Sequence, residues 1–173
     1  MTRSPSTLRV SAESLAEEDD AELTWRVIAP AYQAVSLGDG PDALARDLQS
    51  LTPGQRAILA MHWCVAETLN GGFDQFFTNP SGLLADEALI GFERLGVPQA
   101  ASILRTARAI LASRPPEADR NSEDFDEAGE ADRFDAYLAR YEPLHDAFYD
   151  IVEGELYPRA AAYVRSHAEE FVQ

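Results

Sequence analysis

The chain has 173 residues, with 30 Asp and Glu against 14 basic residues, all of them Arg, and a formal charge of −16. That length suits one domain and the 46% apolar content suffices for a core, which argues against global disorder. A lone cysteine, Cys64, excludes an internal disulfide and a cysteine-based zinc site, and so acidic a chain repels nucleic acid and anionic membranes while attracting basic protein surfaces.

Residues 1–18 are polar, Ser-rich and acidic toward their end, without helical periodicity, and read as a flexible tail ahead of a domain over 19–173. Leu23, Val27, Ala31 and Ala34 recur at helical spacing between 20 and 37, with Asp19 or Asp20 placed to cap the start and Gly38 and Gly40 to end it. Leu44 and Leu48 share one face of a short helix over 41–51. Thr52, Pro53 and Gln55 then form a capping-box start. The helix they open carries Ile58, Leu59, His62, Val65, Ala66 and Leu69 and stops at Asn70-Gly71-Gly72. Phe73, Phe76 and Phe77 make an aromatic knot closed by the turn residues Asn79, Pro80, Ser81 and Gly82.

Two helices follow over 83–95, ended by Gly96, and 98–111, before Pro115-Pro116 breaks the chain. Residues 117–132 are acidic and poor in apolar groups; periodicity returns through Phe134, Tyr137, Leu138, Tyr141, His145 and Phe148. Pro143 either kinks one helix or opens a second at its first turn. A last helix is expected over 158–171. No segment alternates in the manner of a strand, so the expected fold is all-α, a single irregular bundle of six or more helices. With no apolar run of roughly 20 residues to span a membrane and no signal peptide, the expected location is the cytoplasm.

The residues that could carry chemistry are few. Glu142 and His145 form a Glu-x-x-His step of the kind found in di-iron bundles, but neither His62 nor His167 supplies the second step such a site needs. Cys64 sits mid-helix as a small hydrophobe, and His62, two residues away, faces elsewhere. There is no Gly-x-Ser-x-Gly elbow and no phosphate loop. The expectation is a protein without metal, cofactor or catalysis.

The most unusual run is Asn70-Gly71-Gly72-Phe73-Asp74-Gln75-Phe76-Phe77, followed by Asn79-Pro80-Ser81-Gly82. Its glycines permit a left-handed cap and close approach of backbone. Asp74, Gln75 and Asn79 can satisfy exposed backbone at the turn. It reads either as a packed helix-to-helix corner or as the wall of an enzyme pocket near Asp74 and Gln75. The run, preceded by Glu67-Thr68-Leu69, resembles the signature of a bacterial family named for a DNA-mimic protein. Weaker likenesses lie over 87–111 and from Leu144-His145-Asp146 to Glu169-Glu170-Phe171, so the resemblance spans about 22–173. It implies an all-α fold, a homodimer, and an acidic surface that occupies the DNA site of a transcription factor.

The acid is unevenly placed. Residues 117–155 hold 14 acidic side chains and three Arg, a net of −11. Glu123, Asp124, Asp126, Glu127, Glu130, Asp132 and Asp135 are the densest group and the candidate phosphate-like, protein-binding residues. On a helix Glu123, Glu127 and Glu130 share a face, about 5–6 Å apart, and repel one another by roughly 0.2–0.5 kcal/mol per pair, which a basic partner would relieve. The plain alternative is a solvated acidic loop, to which Gly129 is suited. The expected partner is the basic surface of a DNA-binding protein, with a basic toxin or nuclease as the alternative.

Overall fold

Thr52 opens the longest helix as its sequence requires. In the structure, a computed structural model that describes residues 8–16, 19–116 and 126–172, the Thr52 hydroxyl accepts from the Gln55 N–H at 3.2 Å. The Gln55 side chain accepts from the Thr52 N–H at 3.0 Å, which completes the capping box. The helices are α1 (Asp20–Ala34), α2 (Pro41–Gln49), α3 (Pro53–Thr78), α4 (Ala85–Arg94), α5 (Pro98–Leu111), α6 (Glu127–Leu138), α7 (Glu142–Ile151) and α8 (Tyr157–Ser166). Among the described residues there is no strand, only an isolated parallel bridge between Val10 and Val172. The fold is an all-α bundle.

α3 runs through the middle, with α1, α4, α5, α7 and α8 packed around it. Its Ile58, Leu59, Met61 and Cys64 are wholly buried, against Val27 and Ile28 of α1, Phe92 of α4, Leu104 of α5 and Phe148 of α7 in the same core. Small residues let the helices approach closely. Gly91 of α4 lies so near α3 that a Cβ on it would stand 3.1 Å from the Ala57 backbone. Among the described residues no helix is long and apolar enough to cross a membrane.

Several elements depart from the sequence expectation. α1 ends at Ala34, short of Leu37, where the Val35 N–H closes the last turn on the Ala31 carbonyl. Residues 80–84 form a 3-10 turn, so α4 starts two residues later than expected. Pro143 opens α7 within its first turn and kinks nothing. α7 passes into α8 through a π-helical turn, Val152–Leu156, that buries Val152 and Leu156.

The expected flexible tail needs correcting over residues 8–16. Leu8 is buried in the core, its carbonyl accepts from Gln55 Nε2 at 2.8 Å, and the Val10 N–H donates to the Phe171 carbonyl at 3.0 Å. A short 3-10 helix follows at Ala12–Ala16. Two apolar residues in a polar stretch carry no periodicity, so only the packing shows that they are anchored. The rest of the expected tail, residues 1–7 and 17–18, lies outside the described residues.

Candidate functional site

Gly71 and Gly72 interrupt α3, which resumes at Phe73 instead of stopping. Gly72 has φ +83°, a left-handed conformation suited to glycine, and a Cβ there would lie 2.8–2.9 Å from Cε1 and Nε2 of His145 on α7. The imidazole fills the space that the missing side chain leaves. The Phe73 N–H donates to His145 Nε2 at 3.0 Å, so a side chain 72 residues away caps the restarted helix. A nitrogen that accepts holds no proton, which places the ring proton of neutral His145 on Nδ1. Burial lowers the pKa of His145, with Asp146 and Glu142 pulling it back up. The ring is stacked on Phe73 and on Tyr141, at centroid distances of 5.2 and 6.1 Å.

The polar side chains of the motif do something other than satisfy their own turn. Asp74 is buried, and its Oδ1 accepts from the Tyr137 hydroxyl at 2.6 Å and from Arg114 Nε at 3.0 Å. The Tyr137 and Tyr141 hydroxyls are 2.9 Å apart. Because Tyr137 spends its one proton on Asp74, Tyr141 is the donor within that pair. Burial and the bond to Asp74 push the Tyr137 hydroxyl far above its usual pKa. Gln75 and Asn79 both donate to Glu67 Oε2, at 2.8 and 2.9 Å, and tie the two halves of α3 across the break.

Two open clefts flank His145. One, of about 340 Å³, is lined by Gly72, Asp74, Asp135, Tyr141 and Glu142; the other, of about 420 Å³, by Thr68, Asn70, Asp146 and Tyr149. The corner is thus packed underneath, with a shallow groove on either side. The carboxylate that a pocket enzyme would use, Asp74, is already held by Tyr137 and Arg114.

Of the remaining candidates for chemistry, Cys64 lies in the core, while His62 and His167 are half-buried. His62 Nε2 is 3.2 Å from Thr24 Oγ1, and that hydroxyl donates to the Ala21 carbonyl at 2.8 Å. The histidine is therefore the donor in the pair, and burial lowers its pKa to about 4. Cys64 is wholly buried and its thiol is pushed up to about 12, the setting of an inert cysteine. Among the described residues no cluster of His, Cys, Asp and Glu could hold a metal ion.

The acidic residues of the sequence reading fall on and beside α6. Asp126 precedes it, Glu127 lies in its first turn where the helix dipole favours negative charge, and Asp132 and Asp135 are exposed farther along. Glu130 is half-buried and paired with Arg133. Glu123 and Asp124 lie outside the described residues. From Glu127 onward the segment is a helix, so a wholly loop-like acidic stretch is excluded there.

α7 continues the charge in a way the sequence reading missed. Glu142, Asp146 and Asp150 stand at every fourth position, all exposed, about 6 Å apart along the axis, with exposed Glu153 beyond them in the π turn. The i, i+4 spacing was the available signal, but these acids are sparser than those at 123–135 and lie among apolar residues. Among the described residues no Arg forms an ion pair with Asp126, Glu127, Asp132, Asp135, Glu142, Asp146, Asp150 or Glu153. Elsewhere acids and arginines are paired, as in Asp86–Arg108 and Glu93–Arg105.

A family model, DMP19-like protein, matches residues 49–167. The chain belongs to this family. The DMP19-like region runs from the last residue of α2 to just past α8, and so contains both the Gly71-Gly72 corner and the acidic helices α6 and α7. It is the DNA-mimic family that the motif resembles, which makes this a DNA-mimic-type protein. Searches of the curated proteins and of the solved structures find no match.

Proposed function

We propose that the chain binds, through the acidic face of α6 and α7, the basic DNA-binding surface of a regulator or another DNA-binding protein, without catalysis and as a cytoplasmic homodimer. The observation that carries this reading is the set of exposed carboxylates on α6 and α7 that have no arginine partner among the described residues. Residues 126–153 hold nine acidic side chains and two Arg, a net of −7. Charges left in water carry little desolvation penalty of their own, and a basic surface would relieve their mutual repulsion. The α7 row is added here to Glu123, Asp124, Asp126, Glu127, Glu130, Asp132 and Asp135 as the phosphate-like groups.

The test is capture of partners from lysate by the wild-type chain and by an E142Q/D146N/D150N variant, at low and high salt. A DNA-binding protein held by the wild type, released by salt, displaced by its own DNA and lost by the variant is the expected outcome. A partner retained equally by both chains, or insensitive to salt, would overturn the reading. A basic nuclease or toxin captured in place of a regulator would select the inhibitor alternative.

A further inference from the structure

We infer that Asp74 is the positioning residue of the acidic face: its one buried carboxylate docks α6 on the body and thereby sets the α6 carboxylates relative to the α7 row. The inference rests on the binding role proposed above.

α6 is poorly equipped to hold its own place. Tyr137 is its buried residue, Phe134 and Leu138 are half-buried, and a 12-residue helix with several like charges is unstable alone. Apart from that apolar packing and the Arg140–Ser113 bond just past its end, the polar ties of α6 converge on Asp74. Tyr137 donates to Asp74 Oδ1 at 2.6 Å, and Arg114, from the turn after α5, donates to the same oxygen at 3.0 Å. The Arg114 guanidinium also lies 5.4 Å from the centroid of the Phe134 ring and covers it. From Tyr137 the chain of hydroxyls passes to Tyr141, which ends the 3-10 turn Ala139–Tyr141 joining α6 to α7. One anionic oxygen thus fixes α6 through its tyrosine, the cation that covers its phenylalanine, and the hinge to the next acidic row. Both bonds to Asp74 are made by an ionised acceptor and are stronger than neutral ones.

The experiment is hydrogen exchange on the full chain with Asp74→Asn, which keeps an acceptor for Tyr137 but removes the charge that holds Arg114. Amides of α6 should exchange about tenfold faster or more, while those of α7 and the first half of α3 keep their rates. If Asp74→Asn unfolds the whole chain, Tyr137→Phe, which leaves the Asp74–Arg114 pair, is read in its place. No change in α6 overturns the inference, as does equal acceleration of every helix in Tyr137→Phe.

A second arm uses a poly-arginine peptide as probe. Asp74→Asn should weaken capture of the peptide when made in the wild-type chain and add no further loss when made in a D126N/E127Q/D132N/D135N variant, because it acts through those groups. An equal loss in both backgrounds would overturn the inference. If neutralising the α6 and α7 acids leaves capture unchanged, the binding role falls, and the exchange rates alone decide whether Asp74 holds α6.

Discussion

The Gly71-Gly72 corner and helix α6 are joined through Asp74, yet they are built on opposite plans. At the corner Phe73 and Phe76 are wholly buried, His145 fills the space over Gly72, and Gln75 and Asn79 share one carboxylate. Along α6 most side chains face water and Asp132 and Asp135 have no arginine within ion-pair distance among the described residues. The difference shows how a small domain can display charge. Carboxylates that repel one another cannot organise their own helix, so the order must come from a neighbour with ample packing. The corner supplies it.

The largest expected effect is at the corner. Gly72→Ala forces a side chain into a left-handed conformation and against His145, and should lower stability by about 2–4 kcal/mol. Denaturant unfolding would measure this; a loss below about 0.5 kcal/mol would show that the corner is not the rigid side of the comparison.

A smaller effect follows from the protonation of His145. Its Nε2 accepts from the Phe73 N–H, and an imidazolium has no lone pair with which to accept. Its folded pKa lies below the ordinary value of 6.5, with Asp146, Glu142 and Asp135 as the acids around it. The unfolded chain therefore binds the proton more readily. The stability contributed by His145 is complete above about pH 6.5 and declines as the pH falls through its lowered folded value. Stability measured from pH 7 to pH 4.5 should fall less steeply in His145→Gln than in the wild type. The general relief of acidic repulsion at low pH is common to both chains and cancels in the comparison. Identical slopes would mean that the cap does not sense protonation.

The smallest effect, and opposite in sign, belongs to the acidic face. Asp146→Asn removes two like-charge i, i+4 contacts, with Glu142 and with Asp150, and should stabilise the chain by about 0.4–1 kcal/mol. A gain in thermal stability accompanied by weaker binding to a basic partner is the signature of charge kept for function. A loss of stability would place Asp146 among the structural acids.

Much of the scaffold was legible in the amino-acid order because it depends on near neighbours. Thr52 and Gln55 are three residues apart, α5 begins and ends where Pro98 and Leu111 indicate, and the apolar spacing of α1 and α3 identifies their buried faces. The Asn70 to Gly82 motif announced the family and a chain break, but not that α3 resumes after it or that a distant histidine caps the resumption. Of the proposed acidic face, the dense acids near 126–135 were legible in composition, whereas the exposure of the sparser row on α7 depends on how that helix packs.

By itself, then, the sequence determined the order of most helices, the Thr52 cap, the strong negative charge and the family, all matters of composition or of spacing within a few turns. The tertiary structure decided what those pieces do to one another. Asp74 meets Arg114 across 40 residues and Tyr137 across 63, and Gly72 meets His145, because α3 packs against α5 and α7 and Tyr137 of α6 reaches in beside them. Local periodicity can say that a side chain faces inward. Which distant group waits there depends on how the helices pack, because helical spacing relates only residues a turn or two apart.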